Sequence, residues 1–204
     1  MTIADRKRPR TKPAEIRREE LMDAAQRLFL EKGFAATSVA EIVAAADVAK
    51  GTFYLYFQTK DDVLAALQER FVEQFCVKVD TANAEATAKD WGYRLDAWMD
   101  ACVTGYLDEF ALHDLVFHQF QPAKREMKQA NPVVDRLAAF LVEGREAGAF
   151  RFGNARLTAV MLFNAMHSAV DDVLADGKAV NRRNLVDEVS GLCRRALGVN
   201  GIER

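Results

Sequence analysis

The chain has 204 residues, half of them hydrophobic, with 28 Lys or Arg against 30 Asp or Glu and a net charge of −2, which is enough for one large or two small domains with a real core. Three cysteines, Cys76, Cys102 and Cys193, are odd in number and widely spaced, which argues against a disulfide scaffold and fits reduced core thiols. Residues 157–170, the longest uncharged stretch of the C-terminal half, are too few to span a bilayer and include Asn164 and His167; with no apolar run behind the basic N-terminus, no membrane partner and a cytoplasmic location are expected.

The near-neutral total hides a segregation. Residues 1–60 hold 11 Lys or Arg and 8 Asp or Glu, whereas residues 61–204 hold 17 and 22. Residues 1–13 read as a basic flexible arm carrying Arg6, Lys7, Arg8, Arg10 and Lys12, with Pro9 and Pro13 keeping it extended. Such an arm is either a solvated tail or a polyanion contact, since each phosphate it meets releases counterions.

From there the chain reads as helix almost throughout, so an all-α fold is expected, with an N-terminal three-helix helix-turn-helix domain (14–60) and a larger helical domain (61–204). The first helix starts near Pro13, turns Leu21, Ala24, Ala25, Leu28 and Phe29 inward, and stops at Gly33, the residue type that takes a left-handed C-cap. Ser38 and Glu41 have the spacing of a capping box. Val39, Ile42, Val43 and Ala46 give the next helix its inner face. A three-residue turn, Asp47-Val48-Ala49, then leads to a second short helix over residues 50–57, and Asp at the turn tolerates a positive φ.

Phe53 and Phe57 form the apolar stripe of that helix, which leaves Lys50, Thr52, Tyr54, Leu55 and Tyr56 on faces turned outward. Hydroxyls, a lysine and a compact apolar contact suit phosphates, base edges and thymine methyls in a major groove. Gly51 weakens the helix by about 1 kcal/mol relative to Ala, which makes sense where backbone must approach DNA closely. Thr59 caps a further helix with Asp61 and Asp62 in its first turn, and Lys60 there is a phosphate-contact candidate. Val63, Leu64, Leu67, Phe71 and Phe75 make that helix's buried face.

Residues from about 15 to 65, with Ala24-Ala25, Leu28-Phe29, Lys32-Gly33-Phe34, Thr37-Ser38, Glu41-Ile42, Val48, Lys50-Gly51-Thr52-Phe53-Tyr54, Tyr56-Phe57 and Lys60, resemble the N-terminal domain of the TetR/AcrR family of bacterial regulators. The resemblance covers about a quarter of the chain. It implies a homodimeric, ligand-responsive transcription factor, usually a repressor, that leaves a palindromic double-stranded operator when a small molecule enters the C-terminal domain. It places Lys50, Gly51, Thr52, Tyr54, Leu55 and Tyr56 on the recognition surface, with Thr37, Ser38 and Lys60 beside the DNA backbone. Asp47 and Ala49 stand where Gly and Ser are common in the family, so the cap hydroxyl before the recognition helix is absent and any phosphate contact at Ala49 must use its amide.

The larger domain is read from periodicity. One helix carries Trp98, Met99, Cys102 and Tyr106, the next stretch adds Phe117 and Phe120 before Pro122 interrupts, and a helix opened by Pro132 carries Phe140. Aromatic and Met side chains with a few polar tips suit a largely apolar effector pocket, and Phe163, Asn164 and His167 are grouped with them. For each of these taken singly an ordinary core is the commoner role. The helix over 157–174 is apolar nearly all round and the last carries Leu185, Val189, Leu192, Cys193 and Leu197, so the two are expected to form a four-helix bundle with a second copy. Asp171 and Asp172 opposite Arg182 and Arg183 are a candidate rim pairing.

No Gly-x-Ser-x-Gly elbow, phosphate loop or His-Glu-x-x-His pattern occurs, so the chain is not read as an enzyme and no cofactor is expected. Asp114 and His118, one turn apart, have no Cys/His cluster near them and are not assigned a metal. A constitutive architectural DNA-binding protein and an all-α enzyme remain the alternatives to a ligand-gated repressor.

Overall fold

The computed structural model describes residues 13–87, 90–117, 131–175, 177 and 179–199. Among these residues there are nine helices and no strand, the all-α class expected from the sequence. Residues 1–12 of the basic arm, and His118, Phe120 and Pro122, lie outside the described residues. No helix among those described is long and apolar enough to cross a membrane.

The chain divides into two compact units, residues 1–68 and 69–204. In the first, α1 (Ala14–Lys32) buries Leu21, Met22, Ala24, Ala25 and Phe29 at the spacing of one helical face. It ends at Gly33, whose φ of 89° and ψ of 152° lie outside the left-handed helical region expected for a C-cap. Only glycine reaches this corner without strain, because a Cβ would collide with the backbone. α2 (Val39–Ala45) begins with the capping box foreseen at Ser38 and Glu41 and buries Ile42 and Val43. The turn that follows holds Asp47 at φ 51°, the positive value that Asp tolerates.

α3 (Lys50–Phe53) is shorter than the 50–57 helix read from the sequence. Beyond it the chain tightens: the Leu55 amide donates to the Thr52 carbonyl at 3.3 Å and the Tyr56 amide to Phe53 at 3.0 Å, three residues back instead of four. Phe53 and Phe57 are both buried, with ring centroids 5.8 Å apart, so the apolar stripe survives the change of winding. α4 (Lys60–Glu85) is capped by Thr59, whose hydroxyl accepts from the Asp62 amide while Asp62 accepts from the Thr59 and Gln58 amides. The second domain read from the sequence starts with this helix; the two compact units divide within it.

In the second unit, α5 (Trp91–Asp108) carries the core, burying Leu95, Trp98, Met99, Cys102, Val103 and Tyr106. It is joined by α6 (Phe110–Phe117), α7 (Pro132–Glu146), α8 (Ala155–Ala175) and α9 (Arg182–Leu197). α9 is tied to α5 by the Arg194 guanidinium, which donates through Nε to Asp96 at 2.7 Å and through Nη2 to the other carboxylate oxygen. Such a two-pronged pair fixes orientation as well as distance. Arg94 is nearly buried, its guanidinium 3.9 Å from the Trp91 ring centroid and donating to Asn83 at 3.1 Å. All three cysteines are buried and reduced; burial raises their thiol pKa values, that of Cys193 to about 12.

Candidate nucleic-acid interface and effector-domain cluster

The outward face of residues 50–56 is what the core leaves over. Phe53 and Phe57 are drawn into the core of the first unit, and what remains on the outside of residues 50–56 is Lys50, Gly51, Tyr54 and Leu55, with Thr52 and Tyr56 half-buried beside them. Leu55 is 78% exposed and Tyr54 45%. A leucine so placed loses about 1.5–3 kcal/mol of burial free energy that an inward position would have supplied. Gly51 is exposed, its φ is not in the positive range, and a Cβ built there would meet nothing within 4 Å. Nothing among the described residues requires glycine at this position. Ala49 stands before the helix with no side-chain cap, as its residue type dictates; its carbonyl accepts from the Thr52 amide at 2.8 Å.

Two of the expected backbone contacts have other partners. Thr37 is only 2% exposed, and its hydroxyl donates to the Gly33 carbonyl at 2.9 Å, so this side chain fixes the α1–α2 turn and does not present itself to DNA. The Lys60 ammonium donates to the carbonyls of Phe34, Thr37 and Ala35 at 2.7, 2.9 and 3.2 Å and lies 4.5 Å from the Phe34 ring centroid. An ammonium has three hydrogens, and all are used. Lys60 therefore braces the turn, and a direct phosphate contact would require it to give up one of these bonds.

Ser38 remains exposed, with its hydroxyl donating to Glu41 at 2.7 Å and its own amide donating to the same carboxylate at 2.9 Å. The Lys32 ammonium beside Glu41, helped by the Ser38 hydroxyl and amide, holds that carboxyl at about 2. Lys32, Glu41, Ser38, Thr37 and Lys60 thus form a braced corner next to α2.

In the second unit the aromatic group expected to line one pocket separates into parts. The Tyr106 ring packs at a tilt against His113 (centroids 4.2 Å) and His167 (4.6 Å), and Phe117, Phe163 and Phe71 join through His113 and His167. Phe140 belongs elsewhere, 5.6 Å from both Trp91 and Phe150. Trp98, Met99 and Cys102 are buried core. Asn164 is exposed and its amide donates to the Val160 carbonyl one turn back at 2.7 Å, so it is a surface residue. None of these side chains lines the groove of about 840 Å³ between α4, α5 and α9.

A polar chain runs through the Tyr106 cluster. The Tyr106 hydroxyl donates to Asp171 at 2.5 Å, the other Asp171 oxygen lies 3.1 Å from His167 Nδ1, and His167 Nε2 is 3.2 Å from His113 Nε2. Burial, then the Asp171 carboxylate, push the Tyr106 phenol pKa up, so Tyr106 stays a neutral donor. A hydrogen bond between two facing imidazole nitrogens needs one to donate and the other to accept. The sequence reading grouped His167 with the pocket but left out His113 and set Asp171 at the dimer rim; the only signal for the cluster was spacing, with Asp171 one turn after His167. Asp171 is thereby engaged within its own protomer, and Arg182 pairs with Asp108, not with the carboxylates proposed for the rim. Among the described residues no group of three His, Cys, Asp or Glu side chains could hold a metal ion.

A capped helix, a three-residue turn and a short second helix with an outward polar, aromatic and apolar face define a helix-turn-helix, an arrangement whose second helix can enter a DNA major groove. The family model for bacterial regulatory proteins of the tetR family matches residues 21–67. That match lies within the first compact unit.

The chain is 38% identical over 72 residues to the fatty acid metabolism regulator protein of Bacillus subtilis and 40% identical over 78 residues to the transcriptional regulator AcuR of Cereibacter sphaeroides. These matches cover 35% and 38% of this chain but only 37% and 36% of those proteins, so the chain spans little more than a third of the length of these relatives. Whole-chain likeness comes from solved structures. The fatty acid degradation regulator FadR from Bacillus halodurans has a TM-score of 0.67 at 26% identity, covering 91% of this chain and 96% of that one. SmeT, the repressor of the Stenotrophomonas maltophilia multidrug efflux pump SmeDEF, shares the fold with a TM-score of 0.66 at 22% identity, covering 88% and 89%.

Proposed function

We propose that the chain is a homodimeric repressor that binds a palindromic operator through residues 50–56 and is released by a small, largely apolar effector. The observation that carries the reading is the exposed Tyr54-Leu55 pair on a turn whose inward aromatics are fully packed. Lys50, Gly51, Thr52, Tyr54, Leu55 and Tyr56 are the proposed contact set, with Ser38 at its edge and Lys60 and Thr37 holding the neighbouring turn. Half-sites one helical turn apart, about 34–36 Å, would match a two-fold dimer.

Support for the dimer comes from α8 and α9, where Leu157, Met161 and Leu192 are exposed. Leu157 and Met161 are four apart and share a helical face, which is an apolar surface in want of a partner. Substitution of both by Glu is expected to give monomers by sedimentation and to abolish operator binding. Support for the effector comes from the Tyr106, Phe117, Phe163 and His167 cluster, an apolar setting with a polar chain inside it, and from SmeT, whose structure in complex with triclosan is known. The release step needs an effector that favours the DNA-incompetent state by about 1–3 kcal/mol.

The test is fluorescence anisotropy on a duplex selected from a random pool by the purified protein. An inverted repeat and its release by an apolar small molecule are expected. Binding without sequence preference or effector response supports the architectural alternative instead.

A further inference from the structure

The groove between α4, α5 and α9, about 840 Å³ in volume, is lined among the described residues by four carboxylates, those of Glu85, Asp96, Asp100 and Asp187, against one cation, Arg194. Arg194 is already spoken for by Asp96. Several other surface carboxylates of this unit are matched: Asp80 with Arg136, Glu109 with Lys78, Asp108 with Arg182, Asp135 with Arg156. Glu85, Asp100 and Asp187 have no ion-pair partner among the described residues, although they share one concavity.

A second observation is independent of charge. Ser190, which lines the same groove, is only 6% exposed, and its hydroxyl has no hydrogen-bond partner among the described residues. A helical serine ordinarily returns its hydroxyl to the carbonyl one turn back; this one does not. A buried hydroxyl without a partner is costly, and a ligand N–H would satisfy it. The remaining lining is small, with Ala82, Ala86, Ala97 and Gly191, while the half-exposed Tyr93 offers an aromatic ring.

From this geometry we infer that the α4–α5–α9 groove is a binding site for a linear aliphatic polyamine, whose ammonium groups meet Glu85, Asp100 and Asp187 and whose methylenes lie along the alanines. A metal ion is disfavoured, because the carboxylates are spread: no three acidic, His or Cys side chains among the described residues converge on one point. Ammonium groups spaced along a chain match separated carboxylates, and one can sit against the Tyr93 face. Ser190 accepts a hydrogen bond from the ligand. Leu192, two residues further along α9, lies on the opposite flank of the helix from Ser190, so pairing of two copies through Leu192 leaves this flank open.

The test is calorimetric titration of the full chain with spermidine in the absence of DNA at fixed ionic strength, so that its outcome is independent of operator binding. Saturable binding at one site per protomer is expected. The Asp100→Asn, Asp187→Asn double variant should weaken it about a hundredfold, and Ser190→Ala, which removes only the hydroxyl and keeps a helix-forming residue in α9, by about threefold to tenfold. Magnesium at the same ionic strength should displace little. The inference is overturned by the absence of saturable heat, by unchanged affinity in the double variant, by equal displacement with magnesium, or by tighter binding of a short Lys/Arg peptide than of spermidine.

Discussion

Lys60→Met keeps the side-chain stem and removes the ammonium that holds the turn at Phe34, Ala35 and Thr37. A hydrogen bond from a charged donor contributes about 1.5–3 kcal/mol, and the contact with the Phe34 ring about 0.5–1. The three bonds do not add in full, because the site is only half-buried and water can reach the vacated carbonyls. A net loss of about 2 kcal/mol follows for the local structure of the corner. Hydrogen exchange read by mass spectrometry over residues 34–42 should accelerate about thirtyfold, the equivalent of that free energy. Operator affinity should fall because the corner is loosened, while the log-log slope of binding against salt changes by less than about half a unit. A slope flattened by about one unit with exchange unchanged would refute the reasoning, since it would put the ammonium on a phosphate.

Gly51→Ala meets no steric obstacle and sits in helical backbone, so it should stabilise the fold by about 0.4–1 kcal/mol in urea unfolding while weakening operator binding; unchanged binding would remove the close backbone approach from the account. Gly144→Ala, inside α7, would drive its new methyl into the buried Phe150 ring and should destabilise by about 1–3 kcal/mol with no change in α3; a wild-type melting temperature contradicts that packing. The carboxyl of Glu41, held at about 2 against an ordinary 4.5, stabilises the ionised folded form. Its contribution is complete above the ordinary value and is lost as pH falls from 4.5 towards about 2. The stability difference between wild type and Glu41→Gln should therefore be present at pH 6 and vanish near pH 2; a difference that grows on acidification has the wrong sign.

What the sequence made legible was local. The Ser38/Glu41 box, the positive φ at Asp47 and the Phe53/Phe57 stripe all depend on residues within four positions of one another, and all are present. The length of α3 was not legible, because an i, i+4 aromatic spacing fits both four full residues of helix and the tighter turn that replaces it. Lys60 shows a deeper limit: a lysine at a helix start has the same sequence signature whether its acceptors are phosphates or the carbonyls of a turn more than twenty residues earlier. The aromatic group failed for a similar reason. Periodicity assigns Tyr106 and Phe140 to inner faces, but only the packing of α5, α6, α7 and α8 sends one to His113 and His167 and the other to Trp91 and Phe150. The acidic groove, assembled from three helices, left no mark in any single one of them.

Binding of the purified protein and of its Tyr54→Ala, Leu55→Ala variant to the selected duplex and to a scrambled one, at several salt concentrations, tests the central claim. Wild type should prefer the selected duplex by at least about a thousandfold, and the variant, whose changes lie on exposed side chains, should keep its melting temperature and lose most of that preference. Equal preference in the variant would show that residues 50–56 do not read DNA.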